Sequence, residues 1–199
     1  MPSNQPIGIF DSGFGGLTVA RAIIDLLPSE DIIYFGDTSR YPYGPQPLEE
    51  INSYSQQISD YLIAEHDVKM IVIACNTASA AAEDDLRNST EIPIVGVITP
   101  GAQAVAEVSS TKKIGVIGTV GTINSQAYDN AIKGISPENI ELVSVACPGF
   151  VEFVERGEFE GEQVRILADR LLAPVIQADV DALLLGCTHY PYLARAIGE

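Results

Sequence analysis

Short, uninterrupted apolar segments recur along the chain, and stretches with helical spacing separate them. Strands buried on both faces are continuously apolar, whereas half-exposed strands alternate between apolar and polar residues. The segments predicted as strands are residues 7–10, 31–36, 70–74, 94–98, 114–117, 140–146 and 182–185. This alternation predicts an α/β protein whose parallel sheets are covered by helices on both faces.

The segments between these strands carry helix signals. Apolar residues at helical spacing fill residues 17–27, and Pro28 ends that pattern. Further helices are predicted at residues 48–65, 78–87 and near 124–132, from Thr99-Pro100 onward, and in the segments that reach Glu155 and Gln177. Proline suits the first position of the helix that begins near residue 99, because no intrahelical donor is lost there.

The order of segments repeats in the second half of the chain. The sequence IGIF at 7–10 matches IGVI at 114–117, and the apolar segment before Cys75 matches the one before Cys187. We therefore predict two pseudo-symmetric, doubly wound domains, residues 1–98 and 99–199, with one of these cysteines in each. Ligands of open α/β sheets bind outside the carboxyl ends of the strands, so we expect the active site in the cleft between the domains.

Composition excludes several classes of function. The chain has 27 acidic and 11 basic residues and a net charge of -16, which repels nucleic acid and anionic lipid. The longest apolar segments, 70–75 and 182–185, are too short to cross a bilayer, and the first residues lack a basic targeting start. We therefore expect a cytoplasmic protein that binds neither nucleic acid nor membranes.

Three cysteines without CxxC spacing predict reduced thiols rather than a disulfide framework. No metal site is predicted, since Cys187 and His189 offer two ligands at most. Cys147 matches neither of the other cysteines and is assigned to the core.

The pair formed by Cys75 and Cys187 suits a racemase. Such an enzyme removes a proton from one face of a carbon and returns one to the other face, which requires two acid-base groups. A thiol has an ordinary pKa of about 8.5, and a nearby base or helix N-terminus can favour its thiolate. Both cysteines directly precede a predicted helix. Either one alone is better explained as a small buried apolar residue, but the matched positions favour catalysis.

Polar residues accompany the two thiols. Asp11 ends the first strand and His189 lies two residues beyond Cys187, so either can hold a thiol proton. The turn DSGFGG at 11–16 is glycine-rich, and its backbone N–H groups are predicted to bind an anion such as a carboxylate. It lacks the GxGxxG spacing, so a nucleotide site is not predicted. Short donors that suit an amino-acid substrate are Ser12, Asn76, Thr77 and Thr188.

Four segments resemble glutamate racemase, of the aspartate/glutamate racemase superfamily: FDSGFGG at 10–16, GDTSRYPYG at 36–44, ACNTAS at 74–79 and GCTHYP at 186–191. The resemblance implies racemisation of L- and D-glutamate by two thiols, without pyridoxal phosphate, metal or other cofactor. It also implies that Cys75 acts on D-glutamate and Cys187 on L-glutamate, and that the product supplies peptidoglycan synthesis.

The resemblance also implies roles for individual residues. Asp11 assists Cys75, His189 assists Cys187, and Glu155 is an auxiliary acidic residue. The implied substrate contacts are Asp11, Ser12, Tyr43, Gly44, Asn76, Thr77, Thr188 and His189. Members of the family continue well beyond GCTHYP, and that segment completes their first domain. We therefore expect an exposed apolar face on the first half; a homodimer is compatible with the resemblance.

Two alternatives stay open. The first is a related two-cysteine racemase that acts on aspartate or a hydantoin, because the spacing of the cysteines does not identify the substrate. The second is a noncatalytic protein that binds an amino acid at the same residues, which predicts binding without turnover.

Overall fold

A computed structural model describes residues 4–135 and 140–198. Its contacts divide the chain into two compact units, Met1–Val97 and Ile98–Glu199. Each unit contains a parallel β-sheet with helices packed on it, which confirms the predicted α/β fold. The assignment of residues 1–98 and 99–199 as separate domains stays a prediction.

The first unit has a four-stranded sheet in the order β2-β1-β3-β4, and all its strands are parallel. Its elements are β1 (Ile7–Asp11), α1 (Leu17–Leu26), β2 (Ile32–Gly36), α2 (Leu48–His66), β3 (Met70–Ile73), α3 (Asn76–Ser89) and β4 (Ile94–Gly96).

Helices on both faces explain why the central strands are continuously apolar. Successive side chains of a strand point to opposite faces. Phe10 of β1 therefore packs with Ile58 and Leu86 from α2 and α3, whereas the adjacent Ile9 packs on the other face with Ala20 of α1. No position along β1 faces water.

An exposed apolar surface accompanies α1, as predicted for the first half. Large apolar side chains are exposed along this helix and beside its two ends: Phe14, Leu17, Ile24, Leu26 and Leu27.

The second unit has a three-stranded parallel sheet in the order β6-β5-β7. Its elements are α4 (Ile98–Val108), β5 (Lys113–Gly118), α5 (Val120–Asn124), α6 (Ala127–Ile135), β6 (Glu141–Ala146), α7 (Phe150–Glu155), α8 (Glu162–Gln177), β7 (Ala182–Gly186), a 3₁₀ helix (Tyr190–Leu193) and α9 (Ala194–Gly198). Phe150 and Leu172, from α7 and α8, pack with Ile117 of β5 in the main core of this unit.

Two predicted elements differ in their bounds. The helix predicted near 124–132 is α6, which begins only at Ala127 because Gln126 has a φ of 56° in the left-handed region; the separate helix α5 before it was not predicted. The strand predicted at 94–98 ends at Gly96, and Ile98 begins α4 instead. Among the described residues, no helix combines the length and apolar character needed to cross a bilayer.

Candidate active site

Cys75 and Cys187 occupy equivalent positions in their units. Cys75 lies two residues beyond the end of β3, and Cys187 directly follows β7. Each of these strands pairs with the first strand of its own unit, β3 with β1 and β7 with β5. Both cysteines thus lie at the carboxyl edge of their sheet, where α/β proteins bind ligands.

Cys75 is the N-cap residue of α3, which begins two residues earlier than predicted. Its Sγ accepts a hydrogen bond from the backbone N–H of Ala78 at 3.5 Å, and the thiol donates to Ser12 Oγ at 3.8 Å. The side chain is buried. The helix N-terminus therefore offers a donor and a favourable dipole to a thiolate at this position.

Asp11 organises the glycine-rich turn that follows β1. Its Oδ2 accepts the backbone N–H groups of Gly13 at 3.1 Å and Gly16 at 3.0 Å. The prediction that this turn offers its N–H groups to a substrate anion is therefore wrong for these two donors, because the carboxylate of Asp11 binds them. Gly16 is required here, since a Cβ would lie 2.6 Å from the Cβ of Asp11.

One oxygen of Asp11 remains available. The side chain is fully buried, and within the described part of the chain its Oδ1 has no hydrogen-bond partner. A buried carboxylate oxygen without a donor is costly, so this atom is suited to receive one from a ligand.

The surroundings of Cys75 favour the protonated thiol. Burial, and then the negative charge of Asp11, raise the pKa of Cys75 from its ordinary value of 9.0 to about 12. The hydrogen bonds from Ala78 and Ser12 act in the opposite direction but do not outweigh burial. Without a ligand, Cys75 therefore keeps its proton near neutral pH.

Cys187 has a base beside it. Its Sγ lies 3.8 Å from Nδ1 of His189, and Nε2 of the same ring lies 2.7 Å from Oε1 of Glu155, the last residue of α7. An ionised carboxylate only accepts, so the Nε2–H of His189 donates to Glu155. In the neutral ring Nδ1 is then an acceptor that faces the thiol, and His189 can take its proton.

The segment after Cys187 differs from the prediction. No helix begins directly after Cys187; a turn comes first, and a 3₁₀ helix starts at Tyr190. Tyr190 anchors this segment, because its hydroxyl donates to the backbone oxygen of Cys147 at 3.1 Å and its ring packs edge-on against Phe150. Cys75 therefore lies at a helix N-terminus, whereas Cys187 lies beside the ring of His189.

The other predicted site residues fall into two groups. Those in the first unit lie around the strand ends near Cys75 or in the loop after β2: Asp11, Ser12, Tyr43, Gly44, Asn76 and Thr77. Thr188 and His189 follow Cys187 in the second unit, and both are buried. The ring of Tyr43 is buried as well, and its hydroxyl donates to Asp37. The Tyr43 hydroxyl therefore already donates its proton within the protein.

Asp37 was missed by the sequence analysis. It directly follows β2, just as Asp11 ends β1, and this shared strand-end position was the available signal.

Cys147 belongs to the core of the second unit, as predicted, and burial raises the pKa of its thiol to about 12. Among the residues that the structure describes, no cluster of three or more His, Cys, Asp or Glu side chains could hold a metal ion.

Comparison with known proteins identifies the protein family to which this chain belongs. The family model for Asp/Glu/Hydantoin racemase matches residues 8–199, and the chain belongs to that family. The glutamate racemase of Geobacter metallireducens is 52% identical over 195 residues, covering 98% of this chain and 72% of the relative. That of Bacillus cereus is 45% identical, covering 100% of this chain and 73% of the relative. The chain is therefore an amino-acid racemase, an isomerase.

Solved structures agree with this assignment. Glutamate racemase from Francisella tularensis, in complex with D-glutamate, has a TM-score of 0.91 and 43% identity, covering 98% of this chain and 73% of that one. The RacE1 isoform of glutamate racemase from Bacillus anthracis has a TM-score of 0.92 and 43% identity, covering 98% and 74%. Aspartate racemase from Picrophilus torridus shares the fold, with a TM-score of 0.63 and 18% identity over 98% and 86% of the two chains.

Proposed function

We propose that this racemase acts on glutamate without a cofactor and moves the Cα proton between Cys75 and Cys187, one thiol acting on each face. The observation that carries the proposal is the hydrogen-bonded series Cys187–His189–Glu155, with distances of 3.8 and 2.7 Å. Glutamate is the proposed substrate because the relatives of this chain at about half identity are glutamate racemases. The proposed role is to supply D-glutamate for peptidoglycan, in the cytoplasm, where thiols stay reduced.

The conversion of L- to D-glutamate uses the two thiols in different protonation states. His189 accepts the thiol proton of Cys187, and Glu155 stabilises the resulting imidazolium. The Cys187 thiolate then removes the Cα proton of L-glutamate, and the Cys75 thiol donates its own proton to the opposite face. The backbone N–H of Ala78 stabilises the Cys75 thiolate that remains. Solvent returns a proton to Cys75 and takes one from His189.

Buried polar groups around the thiols suit the ionic groups of an amino acid. The free Oδ1 of Asp11 can accept a hydrogen bond from the substrate ammonium. Hydroxyls and amides then bind the carboxylates, and the residues assigned to this task are Ser12, Asn76, Thr77 and Thr188. Neutral donors suffice, because a hydrogen bond to an ionised carboxylate is stronger than one between two neutral groups.

The proposal is tested by incubating the protein with L-glutamate in heavy water, then measuring optical rotation and deuterium at Cα. We expect inversion together with labelling. Cys75→Ala and Cys187→Ala should each lose racemisation completely, whereas Cys147→Ala, which changes a core thiol, should keep it. Full activity in either of the first two variants would rule out the two-thiol mechanism.

The same assay separates the alternatives. A racemase for aspartate or a hydantoin would invert that substrate faster than glutamate, which would overturn the substrate assignment. Binding of glutamate without inversion or labelling would indicate the noncatalytic protein.

A further inference from the structure

The glycine-rich turn at residues 11–16 is held in place by Tyr34, a residue of the neighbouring strand β2. The Tyr34 hydroxyl donates to the backbone oxygen of Gly13 at 2.9 Å. The backbone N–H of the same glycine donates to Oδ2 of Asp11 at 3.1 Å. Gly13 is thus bound to β1 through its N–H and to β2 through its oxygen, so two strands fix the main chain of the turn.

Close packing around this turn leaves no room for it to shift toward β2. A Cβ at Gly16 would lie 2.6 Å from the Cβ of Asp11 and 2.9 Å from the Tyr34 hydroxyl oxygen. The Gly13 oxygen also lies against the strand itself, since a Cβ at Gly36 would lie 2.6 Å from it. The phenol and the turn therefore fit together without space for a methyl group at either Gly16 or Gly36.

The turn places two polar side chains beside Cys75. The thiol donates to Ser12 Oγ at 3.8 Å, and the charge of Asp11 acts with burial to raise the pKa of the thiol. Burial, and then the charges of Asp11 and Cys75, raise the pKa of Tyr34, so the phenol stays protonated and donates to the turn. The contact that holds the turn therefore also holds the groups that control the ionisation of Cys75.

We propose that Tyr34 is a positioning residue, whose hydroxyl holds the turn at residues 11–16 so that Asp11 and Ser12 stay against Cys75. This inference rests on the proposed function, in which Cys75 exchanges a proton with the substrate Cα. In this role the phenol neither gives nor takes the reacting proton. Its loss should therefore alter the proton transfer at Cys75 and leave the transfer at Cys187 as it was.

The first test is the ionisation of Cys75 in Tyr34→Phe, which removes only the hydroxyl. A loosened turn should admit water and weaken the effect of Asp11, so we expect the midpoint of Cys75 ionisation to fall by about one pH unit. The midpoint is measured from thiolate absorbance, as each protein minus the same protein carrying Cys75→Ala. Tyr43, another ionisable side chain whose charge interacts with that of Cys75, is the same in every variant.

The second test is the isotope effect on racemisation of glutamate carrying deuterium at Cα. In the proposed mechanism Cys187 removes this deuteron from L-glutamate, and in the reverse direction Cys75 removes it from D-glutamate. Since Tyr34→Phe should impair the step at Cys75, the isotope effect on kcat/KM should become larger for D-glutamate than for L-glutamate. The value of kcat/KM should fall about tenfold for both, as for loss of one hydrogen bond, because enantiomers interconvert with an equilibrium constant of one.

Tyr61→Phe is the matched control, because it removes a hydroxyl from a tyrosine of α2 that is 45% exposed, and it should change neither measurement. Gly36→Ala is a second variant, since its Cβ must displace the same Gly13 oxygen, and it should change both measurements in the same direction as Tyr34→Phe. It keeps the inference testable if Tyr34→Phe does not fold.

An ionisation midpoint that does not change would overturn the inference, in a variant that circular dichroism shows to be folded. Isotope effects that stay as in the unmutated protein for both enantiomers would overturn it as well. If the unmutated protein racemises glutamate and only the Tyr34 results fail, the proposed function stands; if the unmutated protein neither binds nor racemises glutamate, both fail.

Discussion

At the scale of single residues, two thiols in equivalent positions differ in what surrounds them. Cys187 has an acceptor nitrogen 3.8 Å from its Sγ, whereas Cys75 is buried beside the carboxylate of Asp11. In the proposed mechanism, these surroundings let Cys187 act as the base and Cys75 as the acid toward L-glutamate. A two-base racemase needs this difference, because one thiol must be an acid while the other is a base.

The raised pKa of Cys75 gives a pH prediction. Thiolate absorbance in the ultraviolet, measured as unmutated protein minus Cys75→Ala, should stay near zero through pH 9 and rise toward pH 12, since the pKa of Cys75 is about 12. The folded pKa exceeds the ordinary value of 9.0, so the resulting stabilisation is complete below pH 9 and is lost as the pH rises to about 12.

The free energy of unfolding should therefore fall more steeply above pH 9 for the unmutated protein than for Cys75→Ala. A Cys75 thiolate signal near neutral pH would contradict the assignment of Cys75 as the resting acid.

At the scale of elements, side chains of α3 hold the edge strand β4. Glu83 accepts the backbone N–H of Gly96 at 3.0 Å, and Arg87, one turn later, pairs with Glu83 at 2.5 Å and donates to the Ile94 oxygen at 3.1 Å. Ser79 accepts the N–H of Val97 at 3.2 Å. The helix that Cys75 caps is thus fixed to its sheet along its length.

Gly96 shows how tightly these groups fit. A Cβ at this position would lie 2.0 Å from Oε2 of Glu83, so Gly96→Ala must displace a buried, hydrogen-bonded carboxylate. We expect a loss of about 3 kcal/mol in the free energy of unfolding, measured with urea. Gly134→Ala, in α6, is the control. Among the described residues, no atom beyond its chain neighbours and its own helix backbone lies within 4 Å of the added Cβ, so this variant should stabilise by about 0.5 kcal/mol. Equal stability of the two variants would refute this account.

The bounds of strands and helices were predictable from the sequence where the burial of apolar residues alone determines them. The strands β1 and β3 are continuously apolar and were predicted to within one residue. The break at Gln126 was not, because a left-handed φ at a glutamine leaves no mark in apolar spacing. Ile98 was also misassigned, because an apolar residue suits a strand end and a buried helix turn equally.

The candidate site was predictable to a similar extent. The position of His189 after Cys187 indicated that residue, and the resemblance indicated Glu155; the structure brings the two within hydrogen-bond distance. Asp37 was missed although it follows a strand end, because its contacts with Ser39, Arg40 and Tyr43 form only when the loop after β2 folds back. Contacts of this kind follow from three-dimensional folding rather than from local pattern.

At the scale of the whole molecule, the main feature is a large excess of negative charge. The net charge is -16, and several of the 11 basic residues already form ion pairs with acidic neighbours. A glutamate anion therefore approaches a negatively charged protein, and local donors near the thiols must outweigh that repulsion. In the proposed site, the buried neutral residues Asn76, Thr77 and Thr188 would supply these donors without adding surface charge.

The same charge predicts how salt affects stability. Excess negative charge destabilises a compact chain by self-repulsion, which added salt screens. Exposed ion pairs such as Arg21–Asp25 and Arg195–Glu160 contribute little to stability, because solvent screens them. The thermal unfolding midpoint should therefore rise as sodium chloride is added at neutral pH. Asp60→Asn, which removes one exposed charge within α2, should raise the midpoint at low salt and reduce its dependence on salt. A midpoint that falls with added salt would mean that attraction within the ion pairs exceeds the repulsion among the carboxylates.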